Sequence, residues 1–213
     1  MTETYATAAS RRLMAKALSQ KGVGEVPLGS NLGREIRKYK ACTWLNPDQP
    51  WPWCVAFVQW VWEQTFGHRF PYATASVEQM GWYVNKHGLV IPRAGVRIGC
   101  AVGIGGGEHI TFYAGSAGAG TFYGFGGNQS HQVRQSVYSL ADIDYVIPPE
   151  KIGRLLEWER PKPERPRAKF EVVRGLDGQE RVVKTVGGRN AALQVAEDLL
   201  KKGAWGVSIR KKV

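Results

Sequence analysis

Apolar residues follow a helical period through the first 90 positions and a strand period after Pro92. Tyr5, Ala8, Ala9, Leu13 and Ala17 share one face of a helix that stops near Gly22. A second helix is predicted to start at Ser30 or Asn31 and to bury Leu32, Ile36 and Tyr39. A third, over 52–65 (PWCVAFVQWVWEQT), is apolar nearly all round, the mark of a central, buried helix. Ser76 with Gln79 reads as a capping box opening a fourth helix, which Gly88 would end. After Pro92, residues 97–104, 109–114, 121–125, 132–138 and 144–147 are short β-prone runs separated by glycine-rich turns. Helices followed by antiparallel strands predict an α+β domain over 1–150.

Residues 157–168 (EWERPKPERPRA) interleave prolines with charges. Proline removes a backbone donor and biases its predecessor to extended geometry, so the chain is expected to run as a stiff, solvated linker over 151–168. Residues 169–213 then read as strand, turn, strand, helix, strand: a small C-terminal ββαβ unit, marginal in size for independent folding.

Composition narrows the function. The 213 residues are 43% hydrophobic and 22% charged, enough for a packed core and too apolar for wholesale disorder. The net charge is +11, unevenly placed. Residues 1–150 carry 13 basic and 10 acidic side chains, net +3, whereas 151–213 carry 16 and 8, net +8. A basic tail of this kind draws polyanions. No aromatic RNA-binding strand or zinc-finger spacing is present, which disfavours nucleic acid. Three cysteines without CxxC spacing argue against a disulfide framework and a structural zinc. No apolar run reaches the ~20 residues of a membrane span. Residues 1–22 carry Arg11, Arg12, Lys16 and Lys21 and no apolar stretch, so no secretory signal is read there. The expectation is synthesis in a cytoplasm.

The candidate chemistry centres on Cys54. It falls in the first turn of the buried helix, where Pro52 suits the helix start and unpaired N–H groups favour thiolate. The competing reading is a small apolar core residue. His109 opens the strand HITFYA behind Gly105-Gly106-Gly107, placed to serve as base; His131 is the competing histidine. Asn128, in Gly126-Gly127-Asn128-Gln129-Ser130, is a candidate to hold the imidazole, although Gly-Gly-Asn is also ordinary turn chemistry. Cysteine on a helix, histidine on a strand and an amide on the next strand, in that order, describe a papain-like active site. Trp51 and Trp53 flank the cysteine and could line a substrate groove.

The segment Glu25-Val-Pro-Leu-Gly-Ser-Asn31, then Trp51-Pro-Trp-Cys-Val-Ala-Phe-Val58, the Gly-Gly-Gly-Glu-His-Ile around His109, and Gly-Gly-Asn-Gln-Ser resemble the CHAP family. These are cysteine- and histidine-dependent amidohydrolases/peptidases of phage endolysins and bacterial wall hydrolases. The resemblance spans roughly residues 20–148. It implies a papain-like fold, Cys54 as nucleophile, His109 as base and Asn128 as orienting group. Many relatives carry Glu two residues before that asparagine; this chain has Gly126. Some bind calcium through an aspartate-rich loop that is missing here, so neither metal nor cofactor is expected.

The implied substrate is bacterial peptidoglycan, cut by an N-acetylmuramoyl-L-alanine amidase or an endopeptidase, and the implied site of action is the cell wall after release through a pore or delivery. The basic tail would meet anionic wall polymer or lipopolysaccharide. A virion-associated lysin, an injected effector and a non-catalytic binding module are the alternatives.

Overall fold

A computed structural model describes residues 5–156, 169–176, 179–187, 189–201 and 207–211. Contacts divide the chain into two units, Met1–Glu159 and Arg160–Val213, each described by itself.

The first unit opens with helix α1 (Tyr5–Leu18), which buries Ala9, Leu13 and Ala17. Helix α2 (Arg34–Lys40) starts later than the apolar pattern predicts. Asn31 has φ 56° and Gly33 φ 142°, outside the helical region, so regular winding begins only at Arg34. Ile36 and Tyr39 are buried as expected, while Leu32 precedes the helix and is half-buried. Helix α3 (Cys54–Phe66) is buried through its first nine residues and ends on Gly67, whose φ of 78° suits glycine. Helix α4 (Val77–Lys86) is capped by the Ser76 hydroxyl, which accepts from the Gln79 N–H. The reciprocal half of the box is taken by Thr74: its hydroxyl accepts from the Ser76 N–H and donates to the Gln79 side chain.

Strands β1 (Ala101–Ile104), β2 (His109–Gly118), β3 (Thr121–Gln129), β4 (Gln132–Ser139) and β5 (Ile143–Ile147) form one antiparallel sheet in the order β4-β3-β2-β1-β5. A strand from residue 97 was expected; β1 begins at Ala101 because Gly99, with φ 90°, breaks the extension. The unit thus combines helices with an antiparallel sheet, as an α+β chain does.

The two sheet faces differ. Ala101, Ile110, Phe112, Phe125, Tyr145 and Ile147 pack with the helices in the main core, where Phe57 of α3 meets Phe112 at 6.4 Å between rings. Val102, Ile104, Phe122, Ile143 and Val146 form a smaller cluster on the other face. Helix α5 (Pro149–Leu155) buries Ile152 against the main core, and Lys151 donates to the carbonyls of Gly88 and Val90. The linker expected from 151 therefore begins later, because Ile152, Leu155 and Leu156 supply an apolar face that docks on the first unit. Residues 157–168, the rest of that linker, lie outside the described residues.

In the second unit, β6 (Lys169–Leu176), β7 (Gln179–Gly187) and β8 (Val207–Lys211) form an antiparallel sheet in the order β7-β6-β8, and helix α6 (Arg189–Lys201) precedes β8. Among the described residues Val172, Ala192 and Ala196 form its buried cluster, and Val173 is buried as well.

Glycine sets the approach of α3 to the sheet. A Cβ on Gly127 would lie 2.6 Å from both the Phe57 Cβ and the Trp53 ring. Gly127→Ala should therefore cost about 1–3 kcal/mol, as overpacked core positions do. Urea unfolding should show a lower midpoint; an unchanged midpoint would mean that the helix does not rest on this strand.

Candidate active site

Cys54 begins α3, and Trp53 before it has φ −120° and ψ 17°, so the chain turns into the helix at the Trp53–Cys54 peptide. The Trp53 carbonyl accepts the first helical bond, from the Phe57 N–H, at 2.9 Å. The Cys54 sulfur faces the backbone N–H groups of Ile110, Val55 and Cys54 itself.

The Ile110 N–H is available because the sheet opens there. Tyr113 N–H donates to Cys100 of the incoming β1 edge at 2.8 Å, and antiparallel alternation then turns the Ile110 N–H away from β1. Ladder pairing of β2 with β3 runs from Gly118↔Thr121 to Phe112↔Phe125 and stops. A register shift between Gly126 and Gln129 carries β3 away. The thiol lies at the mouth of this gap.

Burial raises the Cys54 pKa above the ordinary 9.0, and the three N–H groups oppose that shift without overcoming it. The helix start was expected to favour thiolate; desolvation is the larger influence, and the resting group is a thiol.

His109 occupies the opposite pleat of β2. Its ladder partner is Ile104, and Thr111 pairs with Val102, so His109 and Thr111 share the face away from α3. Cysteine and histidine thus approach the gap from its two sides. His109 Nε2 lies 3.4 Å from the Gln129 side-chain oxygen, which also accepts from the Thr111 hydroxyl at 2.7 Å. The Gln129 amide nitrogen is committed to the carbonyls of Gly124 (3.2 Å) and Arg134 (2.6 Å) and to the Ser136 hydroxyl (3.3 Å). Its oxygen is therefore fixed toward the ring. That assigns the proton to His109 Nε2 and leaves Nδ1 as the acceptor.

Tyr138 stacks on the imidazole at 5.8 Å and 26°. Burial raises the Tyr138 pKa, with the Ser136 side chain opposing. Burial also holds His109 below its ordinary 6.5, with Gln129 opposing. No hydrogen bond joins the Cys54 sulfur to the imidazole in this structure; such bonds are often long before substrate arrives.

Asn128 is not the residue on His109. With φ 58° it is left-handed, and the next residue, Gln129, takes the face that unbroken alternation would give to 128. The amide of Asn128 is instead satisfied when its nitrogen donates to Glu25 Oε1 (3.2 Å) and its oxygen accepts from the Trp53 N–H (3.2 Å). Trp53, expected to line a groove, is fully buried: its ring stacks on Tyr39 at 5.8 Å and its indole N–H donates to Glu25 at 2.9 Å. Trp51 is half-buried and keeps an outward surface, with Lys40 Nζ 4.7 Å from the ring centroid. His131, at the β3–β4 turn, places Nδ1 3.4 Å from Glu25 Oε2.

Three residues of this neighbourhood escape the sequence pattern: Gln129, Tyr138 and Glu25. Gln129 adjoins the expected asparagine, and only the bulge selects between the two. Tyr138 is one of the alternating residues of β4. Glu25 carries the one available signal, an isolated acid in a weakly charged stretch before a tight turn. Among the described residues no group of three or more His, Cys, Asp or Glu could hold a metal ion, and no helix is long and apolar enough to cross a membrane. Comparison with family models, with curated proteins and with solved structures finds no match for this chain.

Proposed function

We propose that the chain is a cysteine amide hydrolase of bacterial peptidoglycan with a papain-like arrangement: Cys54 is the nucleophile, His109 the base and Gln129 the group that orients the imidazole. The observation that carries this reading is the gap beside Ile110, where a thiol at a helix start meets the strand residue next to an imidazole held by a fixed amide. The choice of peptidoglycan rests on the resemblance to the CHAP family.

As the sulfur bonds to the substrate carbonyl carbon, its proton passes to His109 Nδ1. The carbonyl oxygen becomes an oxyanion, which accepts hydrogen bonds from backbone N–H groups at the helix start, that of Cys54 among them. His109 returns the proton to the amine as the C–N bond breaks, leaving a thioester. Water then gives a proton to His109 and adds to the thioester. The C–S bond breaks, the acid leaves and the sulfur recovers its proton. The basic second unit would hold the enzyme to anionic wall polymer or lipopolysaccharide, in which case its affinity falls with salt.

A non-catalytic binding module is the second reading. It is favoured by a thiol only 4% exposed and unbonded to the imidazole.

Digestion of purified walls followed by mass spectrometry of the new termini separates the two. Wild type should release them, and Cys54→Ser and His109→Ala should not. Equal release by wild type and Cys54→Ser excludes the cysteine mechanism.

Gln129→Ala should lower kcat on the order of 10²-fold with little change in KM, because the base loses its orientation rather than the substrate its site. Unaltered kcat would remove Gln129 from the mechanism.

The pH profile follows from the resting states. His109 must be neutral to accept a proton, and burial lowers its pKa, so activity should fall only as pH drops below 6.5. Between there and the thiol range above 9.0 the rate should be flat. A decline between pH 7 and 8 would instead indicate a resting thiolate–imidazolium pair.

A further inference from the structure

Glu25 is a carboxylate whose side chain has no exposed surface, and the mechanism above does not use it. Burying an ionised carboxylate is costly unless its oxygens are matched by donors. Here the donors come from three separate segments. Oε1 accepts the Trp53 indole N–H at 2.9 Å and the Asn128 amide at 3.2 Å. Oε2 accepts the Asn31 backbone N–H at 2.9 Å and faces His131 Nδ1 at 3.4 Å. Lys40 Nζ donates elsewhere, to the carbonyls of Asn31 and Gln49, both at 2.6 Å. Asn31 is thus gripped by two buried charges, its N–H by Glu25 and its carbonyl by Lys40.

The consequence falls on the residue before the nucleophile. Glu25 holds the Trp53 ring directly and, through Asn128, the Trp53 backbone N–H. The ψ of Trp53 sets where the Cys54 N–H points. Ring and N–H fix the Trp53 Cα and the direction of its bond to the carbonyl carbon, and the carbonyl, which accepts from the Phe57 N–H at 2.9 Å, fixes the torsion about that bond, so the helix start is held against the gap between β2 and β3. Asn128 belongs to the same β3 turn as Gln129, so one carboxylate ties the nucleophile's peptide to the turn that carries the imidazole's partner.

We propose that Glu25 is a positioning residue for the Cys54 centre, acting through Trp53 and Asn128 to fix the Trp53–Cys54 peptide. The proposal rests on the hydrolase reading above for its kinetic effect, though not for its effect on the thiol.

The test uses the full chain and two variants. Glu25→Gln keeps the shape and removes the charge; Trp53→Phe keeps an aromatic ring and removes the indole donor together with part of the ring volume. On a soluble wall fragment, at a temperature where each variant is folded by circular dichroism, both should lower kcat on the order of 10-fold or more while KM stays within about twofold. The double variant should lose no more than the larger single loss, because Glu25→Gln already disturbs the indole contact that Trp53→Phe removes. Unchanged kcat in folded variants, or losses that multiply, would overturn the proposal. If Glu25→Gln does not fold, Trp53→Phe alone decides in the same way.

A second readout needs no turnover: the rate of Cys54 alkylation by iodoacetamide, followed by peptide mass spectrometry with Cys42 and Cys100 as internal references. In Glu25→Gln or Trp53→Phe the Cys54 rate should change at least about threefold relative to the other two cysteines, since its N–H contacts are displaced. A constant ratio would overturn the proposal even if wild type proves inactive. Inactive wild type with a changed ratio would remove the hydrolase reading alone.

Discussion

The break in the β2–β3 ladder is the constraint on which the site depends. A complete ladder would commit the Ile110 N–H to β3 and leave no place for a side chain between the strands. The register shift after Gly126 frees that donor, and the start of α3 brings a sulfur to it. Glycine makes the approach possible: a Cβ on Gly126 would lie 2.8 Å from the Thr111 hydroxyl, and one on Gly127 would strike Phe57 and Trp53. The same shift turns Gln129 toward His109. One local irregularity thus supplies the space, the donor and the orienting amide together.

What the sequence reveals, and what it hides, follows from the same physics. Helices α1, α3 and α4 are legible because long apolar stripes and the Ser76 cap act within a few residues. The strands after Pro92 are legible as runs between glycine turns, with ends displaced where Gly99 and the bulges intervene. The start of α2 is hidden because left-handed backbone at Asn31 and Gly33 overrides an apolar spacing that continues through them. Asn128 and Gln129 are indistinguishable to a rule of alternation, since a bulge exchanges their faces without changing composition. Trp53 illustrates a further limit. Its place beside the cysteine is visible in the sequence, but its complete burial depends on Tyr39 and Glu25, distant along the chain.

Desolvation sets the chemical character of the centre. It raises the Cys54 thiol and lowers the His109 imidazole, so both rest neutral, and in the proposed reaction the proton would move with the attack. Elsewhere burial produces inert groups: Cys42 is pushed up to about 12 and bonds to Glu63. Cys54 differs in the number of its backbone donors, three against one at Cys100. Behind it, Glu25 and Lys40 are buried charges held mainly by backbone and side-chain donors and acceptors, an arrangement that favours a fixed geometry over maximal stability.

The proposed hydrolysis passes through a covalent bond at one sulfur. Acid-quenched mixtures of the full chain and a soluble peptidoglycan fragment, digested and examined by mass spectrometry, test it most directly. The Cys54 peptide should carry added mass equal to the acyl part of the fragment, released by hydroxylamine, with Cys42 and Cys100 unmodified. Turnover of the fragment with Cys54 bare throughout, under conditions in which the slow Gln129→Ala variant also accumulates no adduct, would contradict it.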